Sequence, residues 1–135
     1  MFNQNLFMEK EEYNRLASEI IGACIEVHRH MGPGLLESVY EECLLKELEL
    51  RGIYVESQVS IPLYYKGFRL DKRFEVDILV EREIVLELKA VLVMHPVYEC
   101  QLTSHLKLAD KRLGYLLNFN VPLMKDGIRR RVNHF

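Results

Sequence analysis

Asp77, Glu87 and Lys89 are the residues of this chain whose types and spacing could do chemistry together. Asp77 sits inside Phe74-Glu75-Val76-Asp77-Ile78-Leu79-Val80, a strand-like run in which aspartate is a poor strand former. Glu87 and Lys89 sit inside the apolar run Ile84 to Val93, and their spacing of two puts both on one face of a strand. If the two runs form a hairpin, Asp77 opposes Glu87 when Val80 pairs with Ile84, which leaves Glu81, Arg82 and Glu83 as the turn. Facing carboxylates repel, so they need a cation between them or one must take up a proton. A hard divalent ion such as Mg²⁺ favours oxygen ligands and satisfies both. A lysine two residues from the second carboxylate can hold or deprotonate a water, or stabilise charge on a phosphorane-like transition state. Asp, then Glu-x-Lys, on adjacent strands is what metal-assisted phosphodiester hydrolysis needs. The plain structural alternative is a surface strand carrying an exposed Glu87–Lys89 pair. Two residues add to the catalytic side. Glu37 shares a helix face with Tyr40, Leu44 and Leu48, where an acid is costly to bury uncompensated, and Gln101 falls on the helix that follows the second run.

The elements that must hold these residues come from hydrophobic period. Leu16, Ile20, Ala23 or Cys24, and Val27 recur at three and four, which predicts a first helix from about Met8 to His30, ended by Gly32-Pro33-Gly34. A second helix follows from about Leu35 to Leu50, with the stripe Tyr40, Leu44, Leu45, Leu48 and Gly52 as its stop. The period then becomes two. Ile53 to Gln58, Ile61 to Tyr65, Phe74 to Val80 and Ile84 to Leu88 read as four strands, with a turn at Tyr65-Lys66-Gly67-Phe68. Pro96 opens a third helix lasting to about Arg112. Tyr115 to Phe119 reads as a buried strand, Pro122 to Gly127 as a loop and Ile128 to Asn133 as a last strand. A helix between the fourth and fifth strands permits a parallel crossover in an otherwise antiparallel sheet. The expectation is an α/β sandwich of two or three layers with a mixed sheet, formed by residues 1–135 as one domain.

Composition narrows the function classes. Eighteen basic against 20 acidic residues give a net charge of −2, which excludes holding nucleic acid by bulk charge. Apolar runs of about five residues exclude a membrane-spanning helix, which needs ~20. Met1 to Lys10 carries no basic segment followed by an apolar one, so no signal peptide is read. Cys24, Cys43 and Cys100 are odd in number and widely spaced, which points to reduced thiols in a cytoplasm. The charge is uneven: Met1 to Cys100 sums to −7 and Gln101 to Phe135 to +5. The basic end, with Lys107, Lys111, Arg112, Arg129 and Arg130, reads either as a phosphate-contacting surface or as a charged edge that blocks aggregation.

Several segments together resemble one family. Gly34-Leu35-Leu36-Glu37-Ser38-Val39-Tyr40 matches the motif that names the GxxExxY proteins. Pro62 to Gly67, Asp77 to Glu81, Val85 to Val91, Leu117 to Asn120 and Leu123 to Arg130 resemble that family in order, and the likeness runs from about Ile20 to Asn133. The family is placed in the PD-(D/E)XK nuclease superfamily, with a restriction-endonuclease-like core of order α-β-β-β-α-β, which the order read above contains. The resemblance implies Asp77 and Glu87 as metal ligands with the Leu88 carbonyl as a third, and Lys89 as the catalytic lysine. It makes Glu37 the helix glutamate that completes or extends the acidic cluster, and Gln101 the glutamine that follows the motif. The tyrosine often found four residues after that glutamine is His105 here, a residue that can still contact a phosphate; Tyr98 and Cys100 also depart from the family pattern. Tyr40 is expected to pack and orient Glu37. The implied activity is Mg²⁺-dependent (or Mn²⁺-dependent) hydrolysis of nucleic acid, DNA foremost. The alternative is a catalytically inactive nuclease fold that binds nucleic acid or a protein. So small a chain offers little surface for long DNA, which argues for a homodimer or a protein partner.

The remaining candidates are weaker. His28 and His30 are two apart on a helix and point apart, so they make no metal pair. His95 precedes Pro96 and is expected to cap the third helix. Tyr64, Tyr65 and Phe68 read either as base-stacking residues or, the favoured reading, as an amphipathic strand pair lying over the core.

Overall fold

The computed structural model describes residues 8–135, so most of the segment read for a signal peptide, Met1 to Phe7, lies outside the described residues. Helix α1 spans Lys10–Met31 and buries Leu16, Ile20, Ala23, Cys24 and Val27, the stripe its period foretells. It stops at Gly32, whose backbone is left-handed (φ 71°) and whose N–H returns to the His28 carbonyl at 2.8 Å. Helix α2 spans Glu37–Leu50 and buries Tyr40, Leu44 and Leu48. It starts two residues later than the sequence suggests, because the Leu35 N–H donates to the Tyr40 hydroxyl (3.1 Å) and Gly34 lies at φ 92°.

Five strands follow rather than six. The two expected segments before the turn are one strand, β1 (Val55–Tyr65), paired antiparallel with β2 (Phe68–Val80), which begins six residues earlier than Phe74. Lys66 and Gly67, both at positive φ, make the two-residue turn whose twist suits a hairpin. Strand β3 (Ile84–Lys89) pairs antiparallel with β2, and the register is the one read from sequence, Val80 opposite Ile84. Helix α3 (Pro96–Ala109) crosses over to β4 (Leu113–Asn118), which runs parallel to β3. The helix ends three residues short of Arg112 because Asp110 turns left-handed at φ 54°. A 3₁₀ turn at Met124–Gly127 leads to β5 (Ile128–Val132), antiparallel to β4. The sheet order is β1-β2-β3-β4-β5, and the sequence α2-β1-β2-β3-α3-β4 is the α-β-β-β-α-β core.

The molecule has three layers. Helices α1 and α2 cover one face of the sheet with Ile78, Val80, Ile84, Leu86 and Leu88; α3 covers the other with Val76, Leu79, Val85 and Leu116. Gly114 lets α3 approach, since a Cβ there would stand 2.9 Å from Leu102 Cδ1. Both faces of β3 and β4 are thus covered, as a parallel pair requires. No described helix is long and apolar enough to cross a membrane.

Candidate active site

The site forms where β2 and β3 part. Their backbone pairing runs from Val80↔Ile84 to Ile78↔Leu86 and stops there. The next residue of β2 is Asp77, and its side chain takes over the pairing: Oδ2 accepts from the Leu88 N–H, next to Glu87, at 2.8 Å. The N–H and C=O of one strand residue leave on the same edge, so the Leu88 carbonyl faces the same gap. On the other side of β2, Gln58 of β1 donates to Asp77 Oδ1 at 3.3 Å. Gln58 lies at φ 50°, and face alternation breaks across this pair. Val59, Ile61 and Val76 pack toward α3, whereas Val55 and Ile78 pack toward α1 and α2. The sheet is therefore irregular at the aspartate that its sequence flagged.

Glu87 and Lys89 share the α3 face, and α3 meets each of them. His105 Nδ1 donates a hydrogen bond to Glu87 Oε2, and its ring stacks on Phe74 with centroids 4.3 Å apart. The Lys89 ammonium lies over the Tyr98 ring, 4.4 Å from its centroid. Gln101 stands between Tyr98 and His105 on the same helix face by its spacing, and it is exposed. His95 caps α3, its Nδ1 accepting from the Val97 N–H at 3.1 Å, as its place before Pro96 foretells.

Helix α2 supplies the acidic side. Glu37 is in its first turn, and burial raises its pKa first, the Asp77 charge second and the Glu41 charge further, against the lowering pull of Lys89. Glu41, one turn on, accepts from Gln58 Nε2 at 2.9 Å and from Ser57 Oγ at 3.1 Å. Gln58 thus links Glu41 to Asp77. Sequence reading missed both, although Glu41 stands at the i+4 position from Glu37, where a helix places a neighbour.

Two buried side chains hold the frame. Tyr40 is fully buried, stacks on Phe119 at 4.7 Å, and its hydroxyl donates to the Gly32 carbonyl at 2.5 Å, so it fixes the loop from which Glu37 starts. Asn118 bonds Val91 twice, Oδ1 from its N–H and Nδ2 to its carbonyl, both at 3.0 Å. The Phe119 N–H donates to the Lys89 carbonyl at 3.0 Å. The chain leaving Lys89 is therefore clamped to β4. A Cβ on Gly127 would sit 2.0 Å from the Asn118 carbonyl oxygen, which explains the glycine in that loop.

The basic candidates do not gather beside this seam. Lys111 and Arg112 lower the pKa of Glu83, which burial raises, at the β2–β3 turn; that is the end of β3 away from Lys89. Arg129 lies 3.5 Å from Glu99 of α3, which also pairs with Arg131, while Arg130 stands over the Phe135 ring. Successive residues of β5, an edge strand, point to opposite faces, so Arg129 and Arg130 form no common surface. Lys107 is exposed on α3. His28 bonds the Val121 carbonyl (2.7 Å) and His30 bonds Glu26, so the two histidines part as expected. Tyr64, Tyr65 and Phe68 are exposed, which corrects the expectation that they lie over the core.

Among the described residues no group of three or more His, Cys, Asp and Glu side chains is arranged to enclose a metal ion. Mg²⁺ does not need such a cage; it keeps several waters and binds through one or two carboxylates together with substrate phosphates. The Asp77 and Glu87 carboxylates with the Leu88 carbonyl fit that ion by donor type.

The sequence matches the family model described as the PD-(D/E)XK nuclease superfamily over residues 14–131. No curated protein matches the chain. The fold is similar to the structure titled "Crystal structure of SSO0001", with a TM-score of 0.51 and 17% identity, covering 89% of this chain and 58% of that one. This chain therefore spans less than two thirds of that protein.

Proposed function

We propose that this chain, which belongs to the PD-(D/E)XK nuclease superfamily, is a divalent-metal-dependent nuclease that hydrolyses phosphodiester bonds at the Asp77–Glu87–Lys89 seam. The observation that carries the proposal is that, where the β2–β3 pairing ends at Ile78 and Leu86, Asp77 accepts from the Leu88 N–H, the residue between Glu87 and Lys89. Members of this superfamily generally use divalent metal ions. We assign Mg²⁺ as the ion, with Mn²⁺ able to replace it, because the donors are all oxygen. Bound there, the ion supplies an activated water and a Lewis acid for the phosphate. Asp77, Glu87 and the Leu88 carbonyl would hold it, and Glu37 would extend the acidic cluster. Asp77 is fixed for this by the Leu88 N–H, and Glu87 by His105. Lys89 carries the positive charge that meets the developing negative charge of the phosphate. Gln101, exposed on the same α3 face as Tyr98 by its spacing, would donate to a phosphate oxygen.

DNA is the polymer proposed, the GxxExxY proteins the subfamily, and the cytoplasm the location, in keeping with three free cysteines. The test is cleavage of single- and double-stranded DNA and RNA with Mg²⁺ or Mn²⁺, beside Lys89→Ala and Asp77→Ala. Cleavage that needs metal and vanishes in both variants supports the proposal; cleavage that survives in both sinks it. One observation favours a second reading, a non-catalytic module of the same fold: Glu87 and Lys89 are both already engaged by α3. That reading predicts no Mn²⁺ affinity.

A further inference from the structure

We infer that the outer half of the β1–β2 hairpin is a nucleic-acid-holding arm that takes single-stranded segments, with Tyr65 and Phe68 as its stacking platform. The inference rests on the nuclease reading and names the form of strand that reading leaves open. β2 is 13 residues long, yet β3 pairs with only its last three. Beyond that, every residue from Tyr64 to Arg73 is exposed, so no core packing explains the aromatic residues there. Tyr65 is 61% and Phe68 74% exposed, and they are cross-strand partners at the tip, presented on one face. The Lys66–Gly67 turn, with both residues at positive φ, fixes that tip.

Charge tells what would cover such a surface. Residues 62–73 carry four basic groups against one acidic group, inside a first hundred residues that sum to −7. Lys66 lies 5.5 Å from the Tyr65 ring centroid, Lys72 shares the face of Phe68 by strand alternation, and Arg69 lies on the hairpin's other face, paired across it with Tyr64. Cations interleaved with flat aromatic faces suit a phosphate backbone with unstacked bases. A hairpin that entered a duplex groove would instead read base edges with hydrogen-bonding side chains, and its aromatic pair would find no partner there. Nine residues separate Phe68 from Asp77, roughly 30 Å along a strand. The arm therefore holds a strand at a distance from the seam where it is cut.

The experiment is fluorescence anisotropy of the full chain in metal-free buffer, with labelled 20-nucleotide oligothymidine and a 20-base-pair duplex as probes. Tyr65→Ala/Phe68→Ala is expected to weaken single-strand binding at least tenfold. Phe68→Tyr, which keeps a stacking ring, is expected to stay close to wild type. Equal melting temperatures establish that the variants are folded. An unchanged affinity in the double variant, a wild-type preference for the duplex, or no binding at all overturns the inference. So does sedimentation showing that the double variant turns a dimer into a monomer, since the tip would then contact a second copy. Hydrolysis of bis(p-nitrophenyl) phosphate with Mn²⁺ by the wild type tests the chemistry apart from the arm, because that probe has no bases to stack.

Discussion

On the α3 wall of the seam each charged group has a complementary neighbour, Glu87 against His105 and Lys89 over Tyr98. On the α2 wall burial raises the pKa of Glu37 first, and the charges of Asp77 and Glu41 raise it further against the pull of Lys89. Like charges gathered this way cost stability unless a cation meets them. The difference teaches how labour is divided. In the proposed function the α3 wall would hold Glu87 and Lys89 in place, while the α2 wall would supply the negative potential that a divalent ion relieves.

The largest effect should come from breaking the seam itself. Asp77→Ala and Lys89→Ala are expected to lower cleavage by about two to three orders of magnitude, the range for removing one group that stabilises transition-state charge. Single-turnover rates on one oligonucleotide check this. Next comes the support of Glu87. His105→Phe keeps a ring against Phe74 but removes the donor, and metal affinity should fall by about 10- to 100-fold, as for other lost supports of metal ligands. His105→Gln, which retains an N–H donor, should recover part of it in a Mn²⁺ titration. A loss equal in both variants would mean that His105 merely packs. Tyr98→Leu removes the cation–π contact from Lys89, together with the ring's edge contact to His95, and should slow cleavage by about two- to fivefold.

The smallest effect is on stability and belongs to the α2 wall. The raised pKa of Glu37 means that the folded chain holds its proton more tightly than the unfolded chain does. The cost of Glu37 is therefore full above its folded pKa and absent below its unfolded one. Without metal, Glu37→Gln should melt about one or two degrees above wild type at pH 7, and the gap should close as the pH falls to about 4. A gap that widens on acidification would reverse the assignment of the two walls.

The core order and the β2–β3 register were legible because they rest on short-range signals: a change of period, a turn of fixed length and Pro96 at a helix start. What sequence could not show is set by partners distant along the chain. Val59-Ser60 reads as a gap between two strands, yet β2 pairs with both residues and carries β1 through. The hairpin aromatics read as core-facing because alternation reports a face and not whether anything covers it; the hairpin simply overshoots β3. Arg129 and Arg130 read as part of a basic end, either a phosphate-contacting surface or a charged edge, although strand alternation already sends the two side chains apart. In the site, Asp77, Glu87 and Lys89 stood out by residue type, whereas Glu41, Gln58 and the Glu87–His105 contact needed the three layers assembled.

In the proposed function Asp77 and Glu87 hold a divalent ion at the parting of β2 and β3. Mn²⁺ binding followed by electron paramagnetic resonance, on wild type and Asp77→Ala, tests it most directly. The expected result is a bound site in the wild type that Mg²⁺ displaces and that Asp77→Ala abolishes while the fold stays intact. Wild-type protein that binds no Mn²⁺, or a site that survives in Asp77→Ala, would contradict it.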